Sequence, residues 1–144
     1  MAAQIFIVEA YPAVLSGYAM LLQRAPDLAV CGAAVSGEEA LTLIPDCQPD
    51  LALVDLCLPG MDGLILIAHL YQAQPALPIV IVSSHERMAY VMRTATVLLP
   101  SVKSYLHNQE VPHRLVATMQ WVLAAGNCLT RSELSGRRQT AQTV

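Results

Sequence analysis

One stretch of the 144-residue chain decides the fold: Leu51-Ala52-Leu53-Val54-Asp55-Leu56-Cys57-Leu58-Pro59-Gly60-Met61-Asp62-Gly63. It begins with an apolar run, reaches an aspartate, and crosses a loop containing proline and glycine before a segment with helical spacing. An apolar run without polar alternation predicts a strand that is covered on both faces of a parallel sheet. The stretch therefore predicts a strand–loop–helix unit, with Asp55 at the end of the strand.

The same unit recurs on both sides of this stretch. Short apolar runs alternate with longer segments of helical spacing, which predicts βαβ units. The runs are Ile5–Val8, Leu28–Val35, Leu51–Val54, Ile79–Val82 and Val102–Leu106. We therefore expect an α/β fold with a doubly wound, five-stranded parallel sheet of flavodoxin-like (βα)5 topology and strand order 2-1-3-4-5.

Local signals set the helix boundaries. Pro12 suits the first turn of the first helix. Ser36 and Glu39 have the spacing of a capping box at the start of the second helix. Gly63 opens the third helix, and a fourth is predicted from Glu86 onward.

The fifth predicted helix has an apolar face and a tryptophan opposite it. Pro112 lies in its first turn, and Gly126-Asn127 is predicted to end it. The apolar face contains Leu115, Val116, Met119, Val122 and Leu123. A tryptophan on an outer face marks an interface more often than other residues do. Trp121 is therefore a candidate interface residue, the alternative being that its ring folds onto a neighbouring helix.

The composition excludes several classes of protein. Apolar residues make up 55% of the chain and charged residues 13%, against ~25% charged in a typical domain, so disorder is excluded. The chain has no uninterrupted run of ~20 apolar residues, so no membrane span is predicted. The net charge of −3 gives no argument for nucleic-acid binding. Four cysteines without zinc-site spacing indicate a reduced, cytoplasmic protein.

Polar residues follow several of the predicted strands. In a doubly wound sheet the ligand binds at the carboxyl ends of the strands, where the strand order reverses. That point lies between the first and third strands, at Glu9-Ala10 and Asp55. Ser83 ends the fourth strand, and Tyr105 and Asn108 end the fifth. Such a set of carboxylate, hydroxyl and polar groups could hold an oxyanion and a cation.

Several motifs together resemble one known family. They are Val54–Gly63, Gly37-Glu38-Glu39-Ala40-Leu41, Pro49-Asp50-Leu51, Tyr105-Leu106-His107-Asn108 and Ala125–Thr130. With these motifs the chain resembles the CheY-like receiver domain of bacterial two-component response regulators, in the group that carries LuxR/NarL-type DNA-binding domains. The resemblance extends from residue 4 to about residue 130.

The resemblance implies a role for four residues. Asp55 falls on the aspartate that accepts a phosphoryl group from a histidine kinase. Ser83 falls on the residue whose hydroxyl binds that group, although simple hydrogen bonding at a strand end is the alternative. Tyr105 falls on the aromatic switch residue, with half-buried packing as the alternative. The backbone carbonyl of Cys57 falls on a Mg²⁺ ligand.

The chain departs from the family pattern at the site. Ala10 replaces a carboxylate that binds Mg²⁺ directly, and Asn108 replaces the lysine that pairs with the phosphoryl group. Glu9 is either a remaining metal ligand or a solvated glutamate. The segment between the helix from Glu86 and Tyr105 is also longer than in the family. We expect Mg²⁺ binding through Glu9, Asp55 and Cys57 to be weakened, and phosphorylation of Asp55 to be weak or absent.

These departures favour a signalling domain that acts through contacts. We expect a non-enzymatic receiver at residues 1–127 and, at residues 128–144, a polar tail or linker toward a DNA-binding domain that is not present in this chain. The expected partners are a second copy, through Trp121 and the Val97-Leu98-Leu99 stretch, and a cognate histidine kinase. DNA would be contacted only through the missing domain. The alternative is a stand-alone pseudo-receiver that binds a partner protein or a small ligand.

Overall fold

A parallel sheet of five strands forms the centre of the structure, a computed structural model that describes residues 1–84 and 100–132, with side chains as far as residue 125. The strands are β1 (Ala3–Val8), β2 (Leu28–Ala34), β3 (Leu51–Asp55), β4 (Ile79–Ser83) and β5 (Val102–His107). Their order is β2-β1-β3-β4-β5, and every neighbouring pair is parallel. The predicted topology is confirmed, and the strand order reverses between β1 and β3.

Helices connect the strands. They are α1 (Pro12–Gln23), α2 (Gly37–Cys47), α3 (Gly63–Ala73), a 3-10 turn (Asn108–Glu110) and the C-terminal helix α4 (Val111–Ser132). The helix predicted from Glu86, the Val97-Leu98-Leu99 stretch, and residues 133–144 of the predicted tail lie outside the described residues.

The predicted helix starts are confirmed by their caps. Pro12 is the first residue of α1, and Gly63 is the first residue of α3. The Ser36 hydroxyl accepts a hydrogen bond from the Glu39 amide at 3.1 Å. The Glu39 carboxylate reaches past Ser36 and accepts from the amide of Val35 at 2.8 Å. Ser36 and Glu39 therefore both satisfy amide groups at the start of α2.

The predicted end of the last helix is wrong. Helix α4 continues through Gly126 and Asn127 to Ser132, because glycine permits a helix end without requiring one. Its predicted apolar face is confirmed, since Leu115, Met119 and Val122 are buried.

Two apolar cores cover the two faces of the sheet. Helices α2 and α3 pack on one face around residues such as Phe6 and Leu66, and helices α1 and α4 pack on the other around residues such as Leu53 and Met119. Every residue of Leu51–Val54 and Ile79–Val82 is buried. This double cover accounts for much of the apolar composition. Within the described ranges, no helix combines the length and the apolar character needed to cross a bilayer.

Candidate functional site

A cavity of about 720 Å³ opens at the carboxyl ends of β1 and β3, where the strand order reverses. Glu9, which follows β1, and Asp55, the last residue of β3, both line it. Asn108, the first residue of the 3-10 turn, lines it from the side of β5. The structure therefore brings these three predicted site residues together, with Cys57 as a fourth.

Glu9 is the most buried charged group at this site. Its side chain is 1% exposed, so the alternative of a solvated glutamate is wrong. Its Oε2 accepts a hydrogen bond from the Tyr11 amide at 3.1 Å, while Oε1 has no hydrogen-bond partner among the described residues. Burial, together with the neighbouring Asp55 carboxyl, raises the pKa of Glu9 to about 8. The two carboxyl groups are thus neighbours in the folded chain.

Asp55 is held by the loop that follows it. Its Oδ1 accepts a hydrogen bond from the Cys57 amide at 2.8 Å, which fixes the carboxylate at the strand end. Cys57 is exposed and also lines the cavity. Ala10 lies in the bend after β1, where its methyl group offers no ligand to a cation.

Two glycines shape this loop. Gly60 has a φ of +67°, and a Cβ there would lie 3.0 Å from Oε2 of Glu38. The same Glu38 oxygen accepts a hydrogen bond from the Met61 amide at 3.1 Å. At Gly63 a Cβ would lie 2.6 Å from the Cα of Leu56, closer than real contacts allow. The loop therefore depends on glycine at both positions, and it is tied to the first turn of α2.

Ser83 and Tyr105 do not line the cavity. The Ser83 side chain is 1% exposed, and its hydroxyl donates to the Ser84 carbonyl at 3.3 Å. Tyr105 is half-buried and packs against the core between the sheet and α2–α3. In this conformation Ser83 makes a strand-end hydrogen bond and Tyr105 packs against the core. These are the arrangements that the alternative interpretation of each residue predicts.

The described lining of the cavity is acidic. Its carboxyl groups are those of Glu9 and Asp55, and none of the described lining residues is Lys, Arg or His. The chain's lysine, Lys103, is exposed on β5 away from this lining. Burial and the charges of Glu9 and Asp55 raise the pKa of Tyr18 above its ordinary value, as expected for a phenol near two carboxylates.

Helix α1 supplies a wall of the cavity that the sequence did not predict. Tyr11, Val14, Gly17 and Tyr18 line it from this side, and Val111 lines it from α4. One signal was available in the sequence, because Pro12–Gln23 contains no charged residue. An exposed helix face without charges is unusual, and here part of that face borders the cavity.

The model of the response regulator receiver domain family matches residues 5–119. The chain belongs to this family. The nitrate/nitrite response regulator NarL of Escherichia coli K12 is 30% identical over 132 residues, which are 90% of this chain and 59% of NarL. The chain therefore spans less than two thirds of this relative.

Solved receiver structures agree with this assignment. A LuxR-family two-component response regulator from Aurantimonas sp. SI85-9A1 is 30% identical, with a TM-score of 0.78 and 87% of each chain covered. The receiver domain of NarL from Mycobacterium tuberculosis has a TM-score of 0.75 at 24% identity, with 85% of this chain and 97% of that chain covered, so its likeness concerns the fold. The sequence resemblance to CheY-like receivers of the LuxR/NarL group is confirmed.

Proposed function

We propose that this receiver is the signal-input part of a transcription regulator, and that it works by contact with a second copy more than by phosphorylation of Asp55. Support for the first part comes from the relatives of the NarL type, which are longer than this chain. The receiver family supports a signalling role, and the absence of an enzymatic activity of its own is part of the proposal. A cognate histidine kinase is the expected upstream partner, and DNA would be contacted through a segment outside this chain.

The charge of the site is the observation that supports weak phosphorylation of Asp55. A phosphoryl group adds negative charge beside Asp55 and Glu9, and the lining offers Asn108 where the family has a lysine. An amide donor lacks the charge that makes an ammonium–phosphoryl pair strong. The phosphorylated state therefore has less stabilisation here than in a receiver with the family lysine.

The site offers a divalent cation fewer ligands than the family pattern does. Mg²⁺ takes oxygen ligands and commonly uses one or two carboxylates. Two suitable metal ligands are Oε1 of Glu9, which has no hydrogen-bond partner among the described residues, and the adjacent Asp55 carboxylate. The Cys57 carbonyl is the third expected ligand. Ala10 removes the further carboxylate, and no cluster of three or more metal-binding side chains exists among the described residues. We propose that Mg²⁺ binds weakly through Glu9, Asp55 and Cys57.

Incubation with acetyl phosphate or beryllofluoride and Mg²⁺ tests the proposal, with intact mass and amide NMR spectra as readouts. We expect little or no adduct on the wild-type chain. The double variant Ala10→Asp/Asn108→Lys restores the family's charges, and we expect it to gain an adduct. Asp55→Asn in the same double variant is the control and should remain unmodified. A stoichiometric adduct on wild-type Asp55 would refute the proposal.

A second candidate function rests on the cavity itself. Its volume of about 720 Å³ is within the range of small-molecule sites. A stand-alone pseudo-receiver that binds a small ligand or a partner protein would use this space directly.

A further inference from the structure

The cavity between α1 and α4 has the size and the walls of a ligand site. Pockets of about 300–1,000 Å³ that are mainly apolar and contain a few polar groups typically bind small molecules. Val14 and Leu21 of α1 and Val111 of α4 provide apolar wall. At Gly17 an added Cβ would meet nothing within 4 Å, so open space lies beside the helix at this point. The space extends well beyond what a metal ion would fill.

One end of the cavity contains a buried hydrogen-bond acceptor that has no donor among the described residues. Glu9 is 1% exposed, and its Oε1 lacks a hydrogen-bond partner in the described part of the chain. A buried polar atom without a partner is unfavourable, so a donor placed beside it is strongly favoured. Asp55 adds a second acceptor, and none of the described lining residues supplies a positive charge.

We propose that this cavity binds a small organic ammonium ion with an apolar body. The ammonium group donates to Oε1 of Glu9 and to the Asp55 carboxylate, and the apolar body lies against Val14, Leu21 and Val111. An anionic ligand would meet the Asp55 carboxylate and the Oε1 acceptor of Glu9 without a compensating cation, while a bare metal ion would leave the apolar walls uncovered. This inference develops the second candidate function and is independent of phosphorylation, dimerisation and DNA control.

Two fluorescent probes test the charge requirement on the full chain in EDTA. Dansylcadaverine carries an aromatic body and a primary ammonium, and N-pentyl dansylamide has the same body without the charge. We expect saturable binding of dansylcadaverine, with an emission increase, and binding of the neutral probe that is weaker by at least about tenfold. Equal affinity for the two probes, or no binding of dansylcadaverine, would overturn the proposal.

Two variants locate the site, each with a matched control. Asp55→Asn removes the anchoring charge, and Asp46→Asn removes a charge from an exposed position on α2. Gly17→Leu fills the open space beside α1, and Ser16→Leu adds the same side chain at an exposed neighbour that does not line the cavity. We expect about tenfold or greater loss of affinity for each site variant and unchanged affinity for the controls.

Circular dichroism establishes that each variant is folded before binding is compared. If a folded Asp55→Asn or Gly17→Leu chain binds dansylcadaverine as wild type does, the ligand lies elsewhere and the inference is wrong. The assay contains no phosphoryl donor, so this failure would leave the phosphorylation experiment to decide the proposed function separately.

Discussion

Raising the pH should destabilise the metal-free protein through Glu9. The ordinary pKa of this side chain is 4.5, whereas burial and the neighbouring Asp55 raise it to about 8 in the folded state. Between these values the folded protein holds a proton that the unfolded chain has released. The stabilising contribution is therefore fully present below pH 4.5 and is lost as the pH rises to about 8.

The size of the effect follows from the two pKa values. Each pKa unit corresponds to about 1.4 kcal/mol of free energy. The whole window from 4.5 to about 8 corresponds to about 5 kcal/mol, and the part between about pH 5 and about pH 8 to roughly 3 kcal/mol. This is a large share of the 5–15 kcal/mol by which typical domains are stable.

Urea denaturation in EDTA across that pH range measures the effect. The wild-type free energy of unfolding should fall by roughly 3 kcal/mol relative to Glu9→Gln, which has no proton to lose at this position. Asp55→Asn should give an intermediate slope, because Asp55 is a lesser cause of the raised pKa than burial. Asp46→Asn, an exposed control, should follow wild type. Parallel profiles for wild type and Glu9→Gln would show that Glu9 does not hold a proton in the folded state.

Three further predictions concern the fold, the surface and the thiols. Gly63→Ala should lower the free energy of unfolding by about 1–3 kcal/mol, measured by urea denaturation, because the added methyl overlaps backbone; unchanged stability would contradict the geometry. Trp121→Ala should reduce self-association measured by light scattering over a concentration series, while Leu43→Ala, another exposed apolar residue, should not; equal self-association of both variants would place the interface elsewhere. Exposed Cys57 should react with a maleimide faster than Cys31, since burial raises the pKa of Cys31 to about 11; mass mapping that finds Cys31 modified first would refute this.

Much of the fold was predictable because its signals are local. The Ser36 cap, the glycine at position 63 and the unbroken apolar strands each act within a few residues. The prediction that Asp55 ends a strand at the reversal of strand order was also correct. Once the strands are identified, the sheet topology fixes the place of a residue at a strand end. The end of α4 failed, because a glycine near a helix end leaves two outcomes open.

The environment of the site was less predictable, because segments distant in sequence create it. Glu9 follows a strand, a position that is often solvated, but Asp55 and Tyr18 lie beside it in the folded chain. The cavity also needs Gly17 of α1 to face Val111 of α4. No local spacing reports such a juxtaposition. Sequence motifs therefore identified the carboxylates, while their burial and the cavity around them required the structure.

The contact between Glu38 and the loop at Gly60 constrains how this protein can evolve. A side chain at position 60 would need both a left-handed backbone and the space that the Glu38 carboxylate occupies, so a shorter residue at position 38 relieves only one of the two obstacles. Shortening Glu38 first would also leave the Met61 amide without its acceptor. Each single step is unfavourable, and a change at both positions still leaves the left-handed backbone, so descendants of this sequence should keep both residues. The loop beside Asp55 is thus inherited together with the start of α2.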